Sequence, residues 1–369
     1  MFESPVSYTL ALHYVKGIGP VHAQYLIRHF KTAKALFEAP KEELSALTNG
    51  KTQLWQALHH KEVMQQAIQT SRHAYEHDYQ IIHWEDDRYP NRLKNCRDAP
   101  IVLFGKGNQE LNPAKIVSIV GTRNATPYGR SLCKELVTGI QSSGALIVSG
   151  LAIGIDRCAH HTAVEEGLPT IGILGHGLDV VYPPQHQQLV EHMCLNGGVL
   201  TEFPWGTAPD KRHFPIRNRI IAGISDVTVV VEAAKKGGAL ITAHLAHGYQ
   251  RELAAFPGRT DQPYSEGCNA LIVSQQAAPI RHAQDLFDLM NWSEHLPVTK
   301  HKRPFPTNLT PSEKQVVELL LQASNPVHIQ VLQHQLRWST GDLAMQLLQL
   351  ELKKIIVARS GGYYTIQLD

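Results

Sequence analysis

Apolar positions in the first eighty residues recur with a helical period. Leu10, Tyr14 and Val15 follow Ser7, the pattern breaks at Gly17-Ile18-Gly19-Pro20, and it resumes at Val21, Tyr25, Leu26 and Phe30. These spacings predict two helices joined by a glycine turn. Leu44, Leu47, Leu54 and Leu58 extend the pattern, so residues 1–80 read as a small helical domain. Residues 81–113, punctuated by Tyr89-Pro90, Ala99-Pro100 and Asn112-Pro113, read as irregular extended chain without identifiable chemistry.

The period then changes. Ile116–Val120 is a short apolar run that stops at Gly121-Thr122-Arg123, and a helical pattern follows from about Thr126 to Ser142. The order repeats with a strand at Ala145–Val148, a turn at Ser149-Gly150 and a helix from about Gly154 to Glu166. Next come a strand at Thr170–Leu174 and the turn Gly175-His176-Gly177, with further strands at Val199–Glu202, Val227–Glu232 and Ala254–Phe256. Apolar strands alternating with helices imply a parallel sheet covered on both faces. Residues 81–290 are thus expected to form an α/β domain with a Rossmann-like core. Residues 291–308 are polar and proline-containing, as a linker is.

Beyond it, Thr310-Pro311-Ser312-Glu313 offers a helix N-cap with a glutamate three residues on, followed by Val316, Val317 and Leu320. Ile329, Leu332 and Leu336 mark a second helix, and Leu343, Leu347 and Leu350 a third. Ile355–Val357 and Tyr363–Ile366, separated by Gly361 and Gly362, complete a hairpin. Three helices and a wing make residues 309–369 a winged-helix module. Such modules usually read duplex DNA with the third helix, but Ser339–Gln349 contains no Lys or Arg. Protein contact or weak auxiliary DNA contact is the favoured reading.

Composition narrows the class. A chain of 369 residues, 43% hydrophobic and 18% charged, suits a globular protein of two or three domains. Its net charge is only +2, so any nucleic-acid binding must come from a local patch. The five cysteines, at 96, 133, 158, 194 and 268, contain no C-x-x-C pair, which argues against a disulfide framework or a zinc ribbon. The opening MFESPVSYTL lacks a leader pattern and no run reaches the ~18 apolar residues of a membrane span, so a cytoplasmic protein is expected.

Charge and backbone constraint concentrate at residues 209–223, PDKRHFPIRNRIIAG. Lys211, Arg212, Arg217 and Arg219 stand against Asp210 alone, with Phe214 among them. Guanidinium groups grip phosphate oxygens, an ammonium adds a point charge, and a ring offers a stacking face, a set that suits a phosphodiester chain carrying bases. Gly121, Gly150, Gly175 and Gly177 all follow predicted strands, where loops and helix N-termini present free amides to ligands.

Enzymatic readings find little support. Gly175-His176-Gly177-Leu178-Asp179-Val180 lacks the third glycine of a dinucleotide fingerprint, and no G-x-x-x-x-G-K-[ST] segment occurs. His244 and His247, and the adjacent His160 and His161, lack the carboxylate of a usual metal motif, and Ser149 does not sit in G-x-S-x-G. No cofactor is implied.

The ordered motifs resemble the DNA-processing protein A family, also called DprA or Smf. The resemblance runs through Ile119–Arg123, Ser149–Asp156, Leu174–Gly177 with Tyr182-Pro183, and Phe214–Gly223, then through Val231–Ala233, Gly238–Thr242, Phe256–Gly258 and Gly267–Asn269. It spans about 160 residues, with looser similarity at both ends; Gly17-Ile18-Gly19 resembles the turn of a helix-hairpin-helix, and the N-terminal domain a SAM-like unit. The resemblance implies a non-catalytic single-stranded DNA-binding protein of natural transformation that protects incoming DNA, helps load the RecA recombinase and forms a homodimer through its central domain. It places the strand in a basic pocket whose positions here are Gly121, Thr122 and Arg123, then Lys211, Phe214, Arg217, Asn218 and Arg219. Thr122 stands where serine is commoner and keeps the hydroxyl, whereas Gly237 replaces a usual serine and removes a hydroxyl donor, which makes Lys236-Gly237 the lesser contact.

In that pocket, amides at Gly121–Arg123 and at Ser149-Gly150 would hold phosphate oxygens, while Arg123, Lys211 and Arg217 neutralise charge. Phe214 would stack on a base and Asn218 would bond a sugar, base or backbone group. Arg219 is open between DNA contact and bracing the loop through a carboxylate, and Asp156 between DNA contact and fixing the glycine-rich turn. A rival within the same superfamily, a nucleotide phosphoribohydrolase, carries P-G-G-x-G-T-x-x-E; Lys236–Thr242 has neither the second turn glycine nor the acid.

Overall fold

The computed structural model describes residues 5–47, 53–108, 110–292, 309–323, 327–353, 355–359 and 362–366. The chain forms two compact units, Met1–Leu296 and Pro297–Asp369. Most of the expected linker, residues 293–308, lies outside the described residues.

In the first unit nine strands make one sheet: β1 (Gln80–His83), β2 (Val102–Gly107), β3 (Ile116–Val120), β4 (Leu146–Ser149), β5 (Thr170–Ile173), β6 (Gly197–Thr201), β7 (Val227–Val230), β8 (Glu252–Ala255) and β9 (Ala278–Pro279). Their order is β1-β2-β6-β5-β4-β3-β7-β8-β9. From β6 to β9 all neighbours are parallel; β2 runs antiparallel to both β6 and β1. Starting at β3 the chain steps outward through β4, β5 and β6, then returns to place β7 on the other side of β3. The order therefore reverses between β3 and β7, which opens a crevice at their carboxyl ends.

Side chains alternate between the two faces of each strand. Val117, Ile119, Ile147, Val227 and Val229 share one core with the helices Pro127–Gly139, Ile155–Glu165 and Ala283–Met290. Ile116, Val120, Leu146, Val148, Ile171 and Val230 share the other with His213–Ile224 and Gly238–Gly248. Both faces are covered, which is why the strands read as unbroken apolar runs. The first of these helices starts where Thr126 caps it, its hydroxyl accepting from Gly129 N at 3.0 Å with Pro127 in the first turn.

Residues 81–113 differ from the irregular chain expected. Ile81-Ile82 and Val102-Leu103-Phe104 are each too short to announce a strand, yet they pair with one another and extend the sheet beyond β6. Tertiary burial decides it, since Val102, Leu103 and Phe104 are buried. The N-terminal helices, among them Pro5–Tyr14 and Pro20–Phe30, join the same core: Leu10, Leu12, Leu36 and Leu44 pack with Ile82 and Phe104.

The second unit comprises helices Pro311–Gln322, Ile329–Leu336 and Thr340–Leu352 and a three-stranded sheet ordered β10 (Val327–His328), β12 (Tyr363–Ile366), β11 (Ile356–Arg359). Thr310 and Glu313 form the capping box: Glu313 N donates to Thr310 Oγ1 at 3.2 Å and Thr310 N to Glu313 Oε2 at 2.8 Å. The arrangement is a winged helix, its core built on Val316, Leu332, Leu343 and Leu347.

Candidate nucleic-acid interface

A cleft of about 560 Å³ opens at the β3–β7 reversal. Each wall follows from a strand end. After β3 come Gly121, Thr122 and Arg123; after β4, Ala152 and Asp156; after β5, Tyr182; after β6, Lys211, Phe214, Arg217 and Asn218; after β7, Lys236 to Ala239 with Ile241 and Thr242. The helices Ile155–Glu165, His213–Ile224 and Gly238–Gly248 all begin at this rim, and none has a side-chain cap hydrogen bond at its N-terminus. Three positive dipole ends therefore converge on one opening.

The walls are locked to one another. Thr122 N donates to Glu232 O at 2.8 Å, and the Glu232 carboxylate accepts from Thr126 N at 2.9 Å and Thr126 Oγ1 at 2.5 Å. Ile155 N donates to Thr122 O at 3.2 Å. Gly154, at φ 87°, lets the β4 loop touch the β3 turn; a Cβ there would strike the carbonyl oxygens of Thr122 and Arg123.

Charges in the cleft differ in kind. Arg123, Lys211 and Lys236 are exposed, and none forms an ion pair among the described residues. Phe214 is half-buried beside Gly175, with the Arg123 guanidinium 5.5 Å from its ring centre, Arg217 at 6.0 Å, and the Tyr182 ring 6.0 Å away. Arg217 is buried: its Nη1 donates to Ile173 O at 2.5 Å, while its Nε has no partner among the described residues. Burial pushes its pKa down to about 10, against the pull of Asp156. Burial pushes the Asp156 carboxyl up in turn, opposed by Arg217. Asp156 accepts from Ala152 N at 3.4 Å, within the glycine-rich turn. Asn218 Nδ2 donates to Gly238 O at 3.3 Å and ties the β6 and β7 walls together.

The remaining sequence-singled residues stand behind the cleft. Ser149 is buried and its hydroxyl donates to Ile119 O at 2.5 Å. Gly150 lies against the Arg217 guanidinium. Arg219 is buried in an ion pair with Glu202, and Arg212, at the rim, pairs with Asp210 at 2.8 Å. Burial raises the Glu202 pKa, with Arg219 pulling the other way. The structure thus gathers Gly121, Thr122, Arg123, Lys211, Phe214, Arg217 and Asn218 around one opening, and sets Ser149, Gly150 and Arg219 outside its lining. It adds Tyr182, and it also brings in Lys236, which the sequence marked only as a lesser contact. Its sequence signal is Lys235-Lys236-Gly237-Gly238 in the loop after a strand, where ligand-binding loops lie.

An open α/β sheet with a cationic, aromatic cleft at its strand-order reversal, in a chain that also carries a winged-helix unit, has the make-up of a DNA-binding protein. A family model described as DNA recombination-mediator protein A matches residues 80–291, and one described as DprA winged helix domain matches residues 300–362. The chain belongs to this family of DNA processing proteins A. Protein Smf of Synechocystis sp. is 35% identical over 276 residues, 74% of this chain and 69% of the relative. The DNA processing protein DprA of Bacillus subtilis is 42% identical over 202 residues, 54% of this chain and 68% of the relative.

Solved structures agree. DNA processing protein A of Streptococcus pneumoniae superposes with a TM-score of 0.61 at 29% identity, covering 78% of this chain and 98% of that one. The Helicobacter pylori protein, solved for its single-stranded DNA binding mode, gives 0.53 at 30% identity over 59% of this chain and 97% of that one. Among the described residues no helix is long and apolar enough to cross a membrane.

Proposed function

We propose that the chain binds single-stranded DNA in the β3–β7 cleft. The observation that carries this reading is the convergence of three unpaired exposed cations, Arg123, Lys211 and Lys236, and the cation-flanked ring of Phe214 on a rim where three helices begin. Phosphates would meet the cations and the positive helix ends, with the buried charge of Arg217 beneath them; of the amides expected at Gly121–Arg123, that of Thr122 is already committed to Glu232 O, so the turn would offer its remaining amides. Phe214, and Tyr182 beside it, would take base faces, which makes binding tolerant of sequence. Ser149, Gly150 and Arg219 serve by shaping the walls, and Asn218 by joining two of them. The Helicobacter pylori relative's single-stranded DNA binding mode supports the assignment.

Binding rather than catalysis fits the cleft, because Asp156, the carboxylate in its lining, is buried and committed to the turn. Protection of incoming DNA, loading of RecA, homodimerisation and a cytoplasmic place follow the family resemblance and belong to the same proposal. The decisive measurement is fluorescence anisotropy with labelled oligothymidine against a duplex of equal length across a salt series. Preference for the single strand is expected, and Arg123→Ala or Lys211→Ala should each weaken binding and flatten the log–log salt slope by about 0.7. Parent-like binding by both variants would sink the assignment. Release of free base from nucleoside monophosphates would instead favour the phosphoribohydrolase reading.

A further inference from the structure

Trp84 directly follows β1 and is 5% exposed, its N donating to Ile101 O at 2.8 Å. Arg28 and Lys94 both stand over its ring, 5.7 and 5.6 Å from a ring centre. With Ile27, Lys31 and Glu85 they line a second crevice of about 460 Å³. Its walls are fixed: Gln24, on the helix that carries Arg28, donates to Ala99 O at 2.7 Å, and Glu85 accepts from Thr9 Oγ1 at 2.9 Å and Ala33 N at 3.5 Å. The carboxylate is thus engaged with neutral donors, whereas Arg28, Lys31 and Lys94 form no ion pair among the described residues.

The topology says where this crevice lies. β1 is antiparallel to β2, and β2 to β6, so β1 runs with the parallel strands and Trp84 leaves the sheet at the same carboxyl edge as the cleft. Five inter-strand steps separate β1 from β3, roughly 24 Å at ordinary strand spacing. Two of the cations, Arg28 and Lys31, lie at the end of helix Pro20–Phe30 and the third, Lys94, on the short helix Asn91–Lys94, a spread that suits successive phosphates better than one compact anion. The buried face of Trp84 leaves no ring for a base, so contact there would be to the backbone alone.

We infer that Arg28, Lys31 and Lys94 form a second phosphate-contact site for the same single strand, engaged when the strand is long enough to cross the sheet edge. The inference rests on the cleft reading above, and it makes the N-terminal helices part of the DNA path. Such a site adds affinity without sequence preference and steepens the salt dependence.

The test compares the full-length parent with Arg28→Gln/Lys31→Gln/Lys94→Gln, using oligothymidines of about six and about thirty nucleotides over a salt series. The short oligomer reports the cleft alone. Equal binding of the short oligomer by both proteins is expected, with a loss of about tenfold or more on the long one and a salt slope smaller by about 2. Parent-like affinity and slope on the long oligomer would overturn the inference and leave the crevice to an acidic protein segment. Equal loss on both lengths would overturn it too, because the effect would then run through the cleft or the fold. Failure of the parent to bind either length would instead remove the cleft reading on which the inference stands.

Discussion

Arg219 and Glu202 form an ion pair behind the cleft, with both side chains almost fully out of water. Removing one partner strands the other charge in a poor solvent. Arg219→Ala is therefore expected to lower unfolding free energy by about 3–5 kcal/mol. The folded fraction should keep its affinity for oligothymidine. Denaturant unfolding monitored alongside anisotropy separates the two effects, and a variant of full stability with weakened DNA binding would return Arg219 to the DNA-contacting set.

Phe214 carries the opposite expectation. Its ring is half-buried in the cleft between two guanidinium groups, and nothing in the fold depends on it as a core residue. Phe214→Ala should cost binding roughly 1–3 kcal/mol while leaving the thermal midpoint near that of the parent, and Phe214→Trp should restore affinity. An affinity unchanged in the alanine variant would show that no base stacks there.

Gly150 and Gly248 make a matched pair of glycines. A Cβ on Gly150 would occupy the place of the Arg217 guanidinium, which is itself held by Ile173 O. Gly150→Ala is expected to cost about 1–3 kcal/mol and to displace Arg217 from beneath the cleft, so stability and affinity fall together. Gly248, in the last turn of its helix, has open space around it. Gly248→Ala should gain about 0.4–1 kcal/mol by stiffening the unfolded chain. Urea midpoints of the two variants moving in the same direction would contradict this account.

His160 gives the fold an acid-sensitive element. The Thr170 hydroxyl donates to Ile147 O at 3.0 Å, so Nδ1 of His160 is the donor in its 2.7 Å bond to Thr170 Oγ1, and Nε2 has no partner among the described residues. Burial pushes its pKa from 6.5 down to about 3. Between those values the unfolded chain binds the proton and the folded chain does not, so this contribution to stability is present above pH 6.5 and is lost as pH falls toward 3. The loss is about 1.4 kcal/mol per pH unit. The raised carboxyls of Asp156 and Glu202 act with the opposite sign. His160→Gln keeps a donor for Thr170 and removes the titration, so the difference between its stability and the parent's should narrow from about pH 7 to about pH 5. A constant difference would contradict the assignment.

The parallel strands were legible because burial on both sheet faces writes a continuous apolar run, and the helices between them because Pro, Thr and Gly mark their ends. β1 and β2 were not, since their apolar cores are too short and lie among prolines; only pairing with β6 makes them strands. In the cleft, charge and strand position pointed to Arg123, Lys211 and Phe214. Sequence set Arg217 apart from Arg219, two residues on, by leaving the second open to a carboxylate partner, but could not name that partner: Arg217 reaches under the cleft, and Arg219 turns to Glu202, which only the fold brings near. Trp84 and its cations escaped notice because Arg28 and Lys94 are brought together by the sheet and not by spacing.

The β3–β7 reversal also bears on when the protein becomes competent. Val117 pairs with Val227, about 110 residues further along, and the cleft needs the loop after β7 as well. Contacts this distant in sequence close late and slow folding. On the ribosome, a nascent chain ending before Lys236 carries the β3 turn, Lys211 and Phe214, yet lacks one wall. On the proposed reading, a chain without that wall would not yet hold DNA, and capture would wait for the sheet to close.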